Sequence, residues 1–444
     1  MKRDKTVLII DGGGRGAALV DKYGQSRHVG RILVVPGNDL MQINTGKEVK
    51  TFPNLKTASV KEILENCKKE KVDLVDVAQD NAVEVGLVDI LMLNGIPVVG
   101  PTKAAGQIEW DKVWARMFMG KYSIPSPRNQ VFYTEKDGID FIKSTPFKKW
   151  FVKASGLAEG KGAIPADNMD ETIEAIKQMK NFGKAGETYL LEEWLQGEEF
   201  SAFALCDGED FQVVGYAQDH KRIFDGDQGP NTGGMGCVSN PLIVDEKINK
   251  QVEDIFKRCI EGLRKEGRPY IGVLYLGGMV VEGEGLPAGR QVYVIEFNAR
   301  WGDPEAQVII PSIKNDFFEL ADTIIMGELK KIKIEIDKKV RVVIAATAKG
   351  YPVDYSKVKG KKIFGIDKAI NAGIKIYGAG IKKVNGDYVV NGGRVLYVMG
   401  EGKNVVEARE KAYHAMALIN IEGDNLHYRT DIGWRDIERI SNKI

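Results

Sequence analysis

The chain has 444 residues, which exceeds a single ordinary domain core of about 100 to 150 residues, so we expect several domains. Hydrophobic residues make up 43% and charged residues 28%, values near the globular average that exclude disordered, collagen-like and membrane-protein classes. The 63 lysines and arginines balance 62 acidic residues, so no bulk positive charge exists to bind nucleic acid or an anionic membrane. Any anionic ligand must therefore be bound by local groups.

The cysteine pattern and the apolar runs predict a cellular location. The four cysteines lie far apart and form no Cys-x-x-Cys pair, which predicts neither a disulfide framework nor a zinc cluster and favours a reducing compartment. The apolar run after the charged start is too short for a signal peptide, and no apolar run approaches about 18 residues. We expect a cytoplasmic protein with no membrane or nucleic-acid partner.

The first 122 residues alternate short apolar runs with helical patterns. Runs at 7–10, 32–35, 72–77 and 96–99 predict buried parallel strands, and 59–69 and 82–93 predict helices between them. In such doubly wound sheets, ligands bind beyond the carboxyl ends of the strands. The loops there are 11–15, 36–38 and 78–80, although a plain tight turn is an equal alternative for each loop taken singly.

Three further units follow. A proline-marked joint at 123–127 begins a small unit, 123–191, with a strand at 150–152 and a helix at 169–179. A central unit, 192–332, contains a hairpin with arms at 271–281 and 291–297. The last unit, 333–444, contains a strand at 340–347 and a helix at 405–419.

A loop at 153–162 places three glycines and two lysines in ten residues directly after a predicted strand. Such a loop can direct backbone N–H groups at phosphates while lysines neutralise them. It is not a Walker A loop, because Lys161 is followed by Gly162 rather than by serine or threonine. A flexible surface loop is an equal alternative on this evidence alone.

Three other segments carry candidate chemistry. In an alternating strand, Glu296 and Asn298 share a face and suit magnesium, with Arg300 on the same side; a solvated face with a salt bridge is an equal alternative. Segment 191–200 could bind adenine through its backbone and ribose through a carboxylate, although spacing alone slightly favours an exposed acidic hairpin. Segment 218–236 is too polar for a packed element, and its basic and glycine residues suit a polyanionic ligand.

Taken in order, these segments resemble the ATP-grasp superfamily and, within it, the glycinamide ribonucleotide synthetase family, over nearly the whole chain. Segments 218–236 and 295–305 are specific to that family, and 36–38, 99–102, 111–112, 391–396 and 431–435 also match. The resemblance implies an α/β and α+β multidomain ATP-grasp fold, with an N-terminal doubly wound parallel-sheet domain and a small C-terminal α/β domain.

The resemblance also implies roles for individual residues. It assigns magnesium or manganese to Glu296 and Asn298, and transition-state charge stabilisation to Arg300 and Lys221. Glu192 and Leu195 would meet adenine through their backbone, and Glu199 would meet the ribose. The implied ATP-binding residues are Lys112, Lys153, Ser155, Gly156, Gly160, Lys161, Gly162, Glu192, Leu195 and Glu199. The implied substrate-binding residues are Gly13, Gly14, Arg15, Pro36, Gly37, Asn38, Asp80, Asn231, Thr232 and Gly233.

The implied reaction belongs to purine biosynthesis. ATP phosphorylates the carboxylate of glycine, and the amine of 5-phosphoribosylamine attacks the acyl phosphate to give glycinamide ribonucleotide, ADP and phosphate. Because an acyl phosphate hydrolyses in water, the glycine-rich loop would act as a lid. No side-chain nucleophile is required, which agrees with the lack of a recognisable Ser-His-Asp or Cys-His pattern in the sequence.

The sequence departs from the family pattern mainly in the first domain. Gly16 and Ala17 stand where the family carries glutamate and histidine, Asp80 replaces a glutamate, and Ser155 replaces an aspartate. A ligase for a different acid or amine therefore stays open, as does a non-catalytic nucleotide-binding relative. The retention of Lys112, Lys153 and both proposed metal ligands argues against the latter. The sequence leaves the oligomeric state open.

Overall fold

The computed structural model describes residues 4–146, 148–158, 161–283, 286 and 289–442. Its first unit contains five strands, β1 (Lys5–Ile10), β2 (Val29–Val35), β3 (Glu48–Thr51), β4 (Leu74–Val77) and β5 (Val98–Val99). They form one parallel sheet in the order β3-β2-β1-β4-β5. The helices of this region are α1 (Gly14–Gln25), α2 (Val60–Glu70), α3 (Asp80–Glu84), α4 (Leu87–Leu93), α5 (Lys103–Trp110) and α6 (Lys112–Lys121).

The parallel sheet predicted from the apolar runs is confirmed. The central strand β1 is buried from Thr6 to Ile10, as expected for a strand covered on both faces. The edge strand β3 was not predicted, because its sequence Glu-Val-Lys-Thr alternates exposed and half-buried residues. The predicted helix 82–93 is two helices, since Gly86 takes a φ of +80° between them.

The second unit is a small antiparallel sheet with helices on one side. Its strands, β6 (Asn129–Phe132), β7 (Trp150–Ala154), β8 (Ala163–Ala166) and β9 (Tyr189–Glu193), pair in the order β6-β9-β7-β8. Helices α7 (Glu135–Ser144) and α8 (Met169–Gln178) pack together against it. The strand and helix predicted here are confirmed.

A nine-stranded sheet forms the rest of the scaffold. Its strands are β10 (Glu198–Asp207), β11 (Phe211–Asp219), β14 (Gly236–Ser239), β15 (Ile271–Glu282), β16 (Arg290–Asn298), β17 (Val340–Ala348), β19 (Lys375–Gly378), β22 (Arg394–Gly402) and β24 (Leu426–His427). The order is β16-β15-β10-β11-β14-β17-β22-β19, and β24 pairs with β17. The sheet therefore runs without interruption from the central unit into the C-terminal unit through the pairing of β14 with β17.

Three two-stranded ribbons complete the strands: β12 (Arg222–Phe224) with β13 (Gln228–Asn231), β18 (Ile363–Phe364) with β23 (Asn420–Ile421), and β20 (Ile381–Val384) with β21 (Asp387–Val390). The remaining helices are α9 (Glu246–Lys265), α10 (Ala306–Ile309), α11 (Phe317–Ile325), α12 (Ile366–Asn371), α13 (Val405–Met416) and α14 (Trp434–Ser441). The first ribbon lies in segment 218–236, which the sequence marks as too polar for a packed element. Every residue of β13 is exposed, so backbone pairing rather than an apolar face defines it.

Helix α1 joins the first unit to the other units. A Cβ atom at Gly14 would lie 2.4 Å from the Gln307 amide nitrogen and 2.4 Å from the Tyr397 ring, so glycine permits this close approach. Tyr23, further along the helix, packs edge-on against Phe317 with ring centroids 5.1 Å apart. Within the described residues, none of the helices combines the length and apolarity needed to cross a membrane.

Candidate active site

A cleft of about 980 Å³ lies where the small antiparallel sheet, the large sheet, the carboxyl edge of the parallel sheet and the C-terminal unit meet. It brings together most of the residues that the sequence singles out. Those lining it are Gly13, Arg15, Asp80, Lys112, Lys153, Gly162, Glu192, Leu195, Glu199, Lys221, Asn231, Thr232, Gly233, Glu296, Asn298 and Arg300.

Three groups of predicted residues lie elsewhere. Gly14, Pro36, Gly37 and Asn38 do not line the cleft, and Ser155, Gly156 and Lys161 belong to the glycine-rich loop but do not line the cleft either. Gly160 lies outside the described residues. Asn38 has a structural role in this structure. Its side-chain amide donates to Gly12 O (3.0 Å) and to Gly378 O (2.9 Å), so it joins the first unit to the C-terminal unit.

A buried ion-pair network lies at one end of the cleft. Arg116 Nε lies 2.5 Å from Glu192 Oε1, and Lys153 Nζ pairs with the other oxygen of the same carboxylate. Burial raises the pKa of Glu192, but the charges of Arg116 and Lys153 outweigh it and lower that pKa to about 2. Sequence reasoning assigned Glu192 a backbone role and missed Arg116, whose partner is 76 residues away in the chain.

The start of the glycine-rich loop is attached to helix α6. Ser155 Oγ donates to Asp111 Oδ1 (3.0 Å) and accepts from Val113 N (3.2 Å). Lys112 Nζ donates to Gly156 O at 3.2 Å, and burial lowers the pKa of Lys112. Ser155 and Gly156 therefore fix the first turn of the loop, and Lys112 is held next to it, facing the cleft.

The proposed metal ligands lie at the end of β16. Asn298 Nδ2 is 3.4 Å from Glu296 Oε1, so the carboxylate and the amide are adjacent on one face, as the strand alternation predicts. Burial raises the pKa of Glu296, but Lys221, Lys153 and Lys112 together hold it below its usual value. A carboxylate and an amide oxygen are ligands that magnesium prefers, and the neighbouring lysines suit the phosphates that would accompany the ion. The donor set therefore fits the group that the fold implies.

Arg300, on the same face, is held by two neighbours. Its Nη2 lies 2.9 Å from Glu109 Oε1 and 3.0 Å from Asn298 Oδ1. Burial raises the pKa of Glu109 to about 7, although the positive charge of Arg300 opposes this. Glu109 was not among the residues that the motifs pick out, because it lies on α5, far from Arg300 in sequence.

Two buried carboxylates lie deeper in the cleft. Glu305 Oε1 accepts hydrogen bonds from Tyr275 Oη (2.9 Å) and Ser201 Oγ (3.1 Å). Asp219 Oδ1 is buried without a hydrogen-bond partner among the described residues, and burial together with the charge of Glu305 raises the pKa of Asp219 well above its usual value. Lys221 Nζ lies 3.5 Å from Glu199 Oε2, at the more open side. A carboxylate oxygen that lies beside a cleft without a partner can accept a hydrogen bond from a ligand.

The C-terminal unit also contributes to the wall. Arg394 donates to Gly233 O and to Asp303 O (2.7 Å), which fixes the loop that carries the predicted substrate residues. Gly233 N in turn donates to Tyr351 Oη at 3.0 Å. The motif at 391–396 was the signal for this contact, but the sequence did not indicate which residue it reaches.

Known family models match this chain in order. The phosphoribosylglycinamide synthetase N domain matches residues 5–109, its ATP-grasp (A) domain matches 110–306, and its C domain matches 339–435. The phosphoribosylamine–glycine ligase of Caldanaerobacter subterraneus is 37% identical over 433 residues, which cover 96% of this chain and 99% of that protein. The chain belongs to the phosphoribosylglycinamide synthetase family.

Two further relatives show how the length of this chain compares with the lengths of similar proteins. The crystal structure of the phosphoribosylamine–glycine ligase from Thermotoga maritima superposes with a TM-score of 0.78 at 30% identity, covering 96% of this chain and all of that one. The trifunctional purine biosynthetic protein adenosine-3 of Bos taurus is 39% identical over 436 residues. This phosphoribosylglycinamide synthetase family member spans 42% of the bovine protein's length. The ATP-grasp fold and the family that the motifs indicate are confirmed.

Proposed function

We propose that this chain is an ATP-dependent carboxylate–amine ligase of purine biosynthesis. It joins glycine to 5-phosphoribosylamine through glycyl phosphate and releases glycinamide ribonucleotide, ADP and phosphate. One observation carries the proposal: a single cleft holds Lys112 and Lys153, the Glu296 and Asn298 pair, and the strand-end residues Gly13 and Arg15. Lysines that can bind phosphate, a carboxylate–amide pair that can bind a metal ion, and the strand-end loop of the first unit therefore line the same cleft.

ATP is assigned to the end of the cleft between the two antiparallel sheets. The backbone from Glu192 to Leu195 faces the adenine, and Glu199 meets the ribose. Lys112 and Lys153 lie where the phosphates would be, and Leu157, Ala158 and Gly162 of the glycine-rich loop line the cleft with them. Lys153 then exchanges its partner Glu192 for phosphate or bridges both, while Arg116 keeps the Glu192 carboxylate paired.

Glu296 and Asn298 would hold magnesium or manganese, which when bound neutralises phosphate charge. Positively charged side chains around these two residues would supply the remaining charge stabilisation. Arg300, fixed by Glu109, and Lys221 stabilise the negative charge that develops as the phosphoryl group moves to the glycine carboxylate. The lysine-rich wall holds reacting groups in line and excludes water once the loop closes.

The second half of the reaction forms the amide. The amine nitrogen of phosphoribosylamine attacks the acyl carbon of glycyl phosphate, the bond from that carbon to the phosphate oxygen breaks, and the nitrogen loses a proton. Phosphate leaves with the electron pair. The carboxyl edge of the parallel sheet, which presents Gly13, Arg15 and Asp80, is the proposed site of the amine substrate.

Glycine needs a partner for its ammonium group as well as for its carboxylate. Asp219 is the proposed partner, because its Oδ1 is buried at the cleft wall and makes no hydrogen bond within the part of the chain that the structure describes. A bound ammonium would supply the missing donor and offset the like charge of Glu305.

The four cysteines, Cys67, Cys206, Cys237 and Cys259, are free and buried, which supports a reducing, cytoplasmic location for this reaction. The substrates are small molecules, and the lack of a nucleic-acid partner stays a prediction from the balanced charge.

The deciding experiment incubates the purified protein with ATP, magnesium and glycine, with and without freshly prepared phosphoribosylamine. Phosphate release is followed together with the mass of glycinamide ribonucleotide. We expect that product only when both substrates are present. Phosphate release with another acid or amine, and none with this pair, would replace the proposed substrates. Nucleotide binding with no turnover would indicate the non-catalytic alternative.

A further inference from the structure

Asp11 is the residue directly after β1, and each oxygen of its carboxylate accepts two hydrogen bonds from protein groups. Its Oδ1 accepts from Gly13 N (2.6 Å) and Gly16 N (2.9 Å), and its Oδ2 accepts from Arg15 Nε (2.8 Å) and Gln79 Nε2 (2.8 Å). The residue has no exposed surface. So many donors on one buried carboxylate fix the position of every group that makes them.

These contacts tie together three loops that border the cleft. Arg15, held by Asp11, donates from Nη1 to Trp301 O at 2.7 Å, and Trp301 directly follows Arg300. Gln79, held by the same oxygen, directly precedes Asp80 in the next strand-end loop. Asp11 therefore connects the loop after β1, the loop after β4 and the segment after β16 that carries Arg300.

Gly16 is matched to Asp11. A Cβ atom at Gly16 would lie 2.8 Å from Asp11 Oδ1 and 2.9 Å from Asp11 Cβ, closer than real Cβ atoms approach. Any side chain at position 16 would therefore displace the carboxylate. This close fit explains in physical terms why the chain has glycine at position 16.

We propose that Asp11 is a positioning residue for the amine substrate. This inference rests on the proposed function. Asp11 acts through Arg15 and Gln79: it holds both against the cleft wall and keeps their loops aligned with Arg300. Because three donor groups of Arg15 are already engaged by Asp11 and Trp301, the position of this guanidinium depends on the carboxylate. The ATP end of the cleft lies on other elements, and no hydrogen bond joins it to Asp11 among the described residues.

The test is the substitution Asp11→Asn, which keeps the shape but removes the charge and one acceptor. We expect the KM for phosphoribosylamine to rise about tenfold or more, while the KM values for ATP and glycine stay within about twofold. A purely structural role would reduce the fraction of active enzyme and so lower kcat without this selective change in KM. Equal changes in all three KM values, or none, would overturn the proposal.

Arg15 provides the second readout. If Asp11 acts through Arg15 and Gln79, adding D11N to the double variant R15A/Q79A should weaken the binding of phosphoribosylamine no further, so that the effects do not add. Additive effects would show that Asp11 acts by another route and would contradict the proposal. The matched control is Asp73→Asn, which removes an ion pair with Lys5 at the opposite end of β1 and β4. It should leave all three KM values unchanged.

A third variant covers the case in which D11N does not fold. Gly16→Ala leaves Asp11 in place but pushes its carboxylate away. It should reproduce the selective rise in the KM for the amine, and an unchanged KM would overturn the inference. If the unaltered protein forms no glycinamide ribonucleotide at all, the proposed function fails instead, so the two failures are distinguishable.

Discussion

Glu109 Oε1 lies 2.9 Å from Arg300 Nη2, and Glu109 Oε2 accepts a hydrogen bond from Ala299 N at 2.7 Å. One buried carboxylate on α5 thus fixes both the side chain and the backbone at the end of the strand that carries Glu296 and Asn298. Because the guanidinium is held before substrate arrives, its charge is already directed at the site of phosphoryl transfer. The functional contribution of Arg300 should therefore depend on Glu109.

Replacing Glu109 with glutamine tests this dependence. Burial raises the pKa of Glu109 to about 7, so the carboxylate loses its charge as pH falls through that value. We expect kcat of the unaltered enzyme to rise with pH through about 7 and kcat of E109Q to lack that step and to be about tenfold lower at pH 8. The measurement is the pH profile of kcat for both proteins. The same profile in both would show that another group is responsible.

Replacing Glu296 with alanine tests the metal site. Loss of one of two oxygen ligands should lower kcat by about a thousandfold or more, while the thermal unfolding midpoint changes little, because the carboxylate is only partly buried. The matched control is Glu282→Ala on the neighbouring strand of the same hairpin, where the side chain is 71% exposed and pairs with Arg290. Activity of E296A within a few-fold of the unaltered protein would remove Glu296 from the metal site.

Asp76 predicts how stability depends on pH. It is buried, accepts a hydrogen bond from Tyr23 Oη at 2.8 Å, and has a pKa raised by burial to about 7. Between the unfolded value of about 4 and this value the folded state binds more protons, so stability falls as pH rises. Titration of Asp76 should therefore lower the free energy of unfolding by roughly 2 to 3 kcal/mol between pH 5 and pH 8.

Urea unfolding of the unaltered protein and of Asp76→Asn at both pH values checks this. Between pH 5 and pH 8 the free energy of unfolding should fall less in Asp76→Asn than in the unaltered protein, by the contribution of Asp76, whereas Asp73→Asn at the partly exposed surface should show the full fall. Parallel behaviour of D76N and the unaltered protein would assign the titration to a different group.

The sequence predicted the elements and the motifs better than it predicted how they meet. Buried strands such as β1 and β17 have continuous apolar runs, whereas the edge strand β3 and the ribbon β12-β13 are polar and are defined by backbone pairing. Residues within one motif, such as Glu296, Asn298 and Arg300, were found because their spacing matches a strand.

The residues that hold such motifs in place through tertiary contacts were missed for a different reason. Arg116, Glu109 and Arg394 each lie on a separate element and reach the cleft through contacts that no local pattern contains. Arg15 illustrates the same limit: its residue type suggests a phosphate ligand, but its position is set by Asp11 and by Trp301, 286 residues away.

Replacing Asp219 with asparagine tests the proposed ammonium site. The substitution keeps the shape but removes the charge that would pair with glycine, and a charged hydrogen bond is worth about 1.5 to 3 kcal/mol. We expect the KM for glycine to rise about tenfold to a hundredfold, with the KM for ATP nearly unchanged. Because Asp219 Oδ1 makes no hydrogen bond to any described residue, the substitution should not lower the unfolding midpoint. A larger effect on ATP than on glycine would move Asp219 from the glycine site to the nucleotide site.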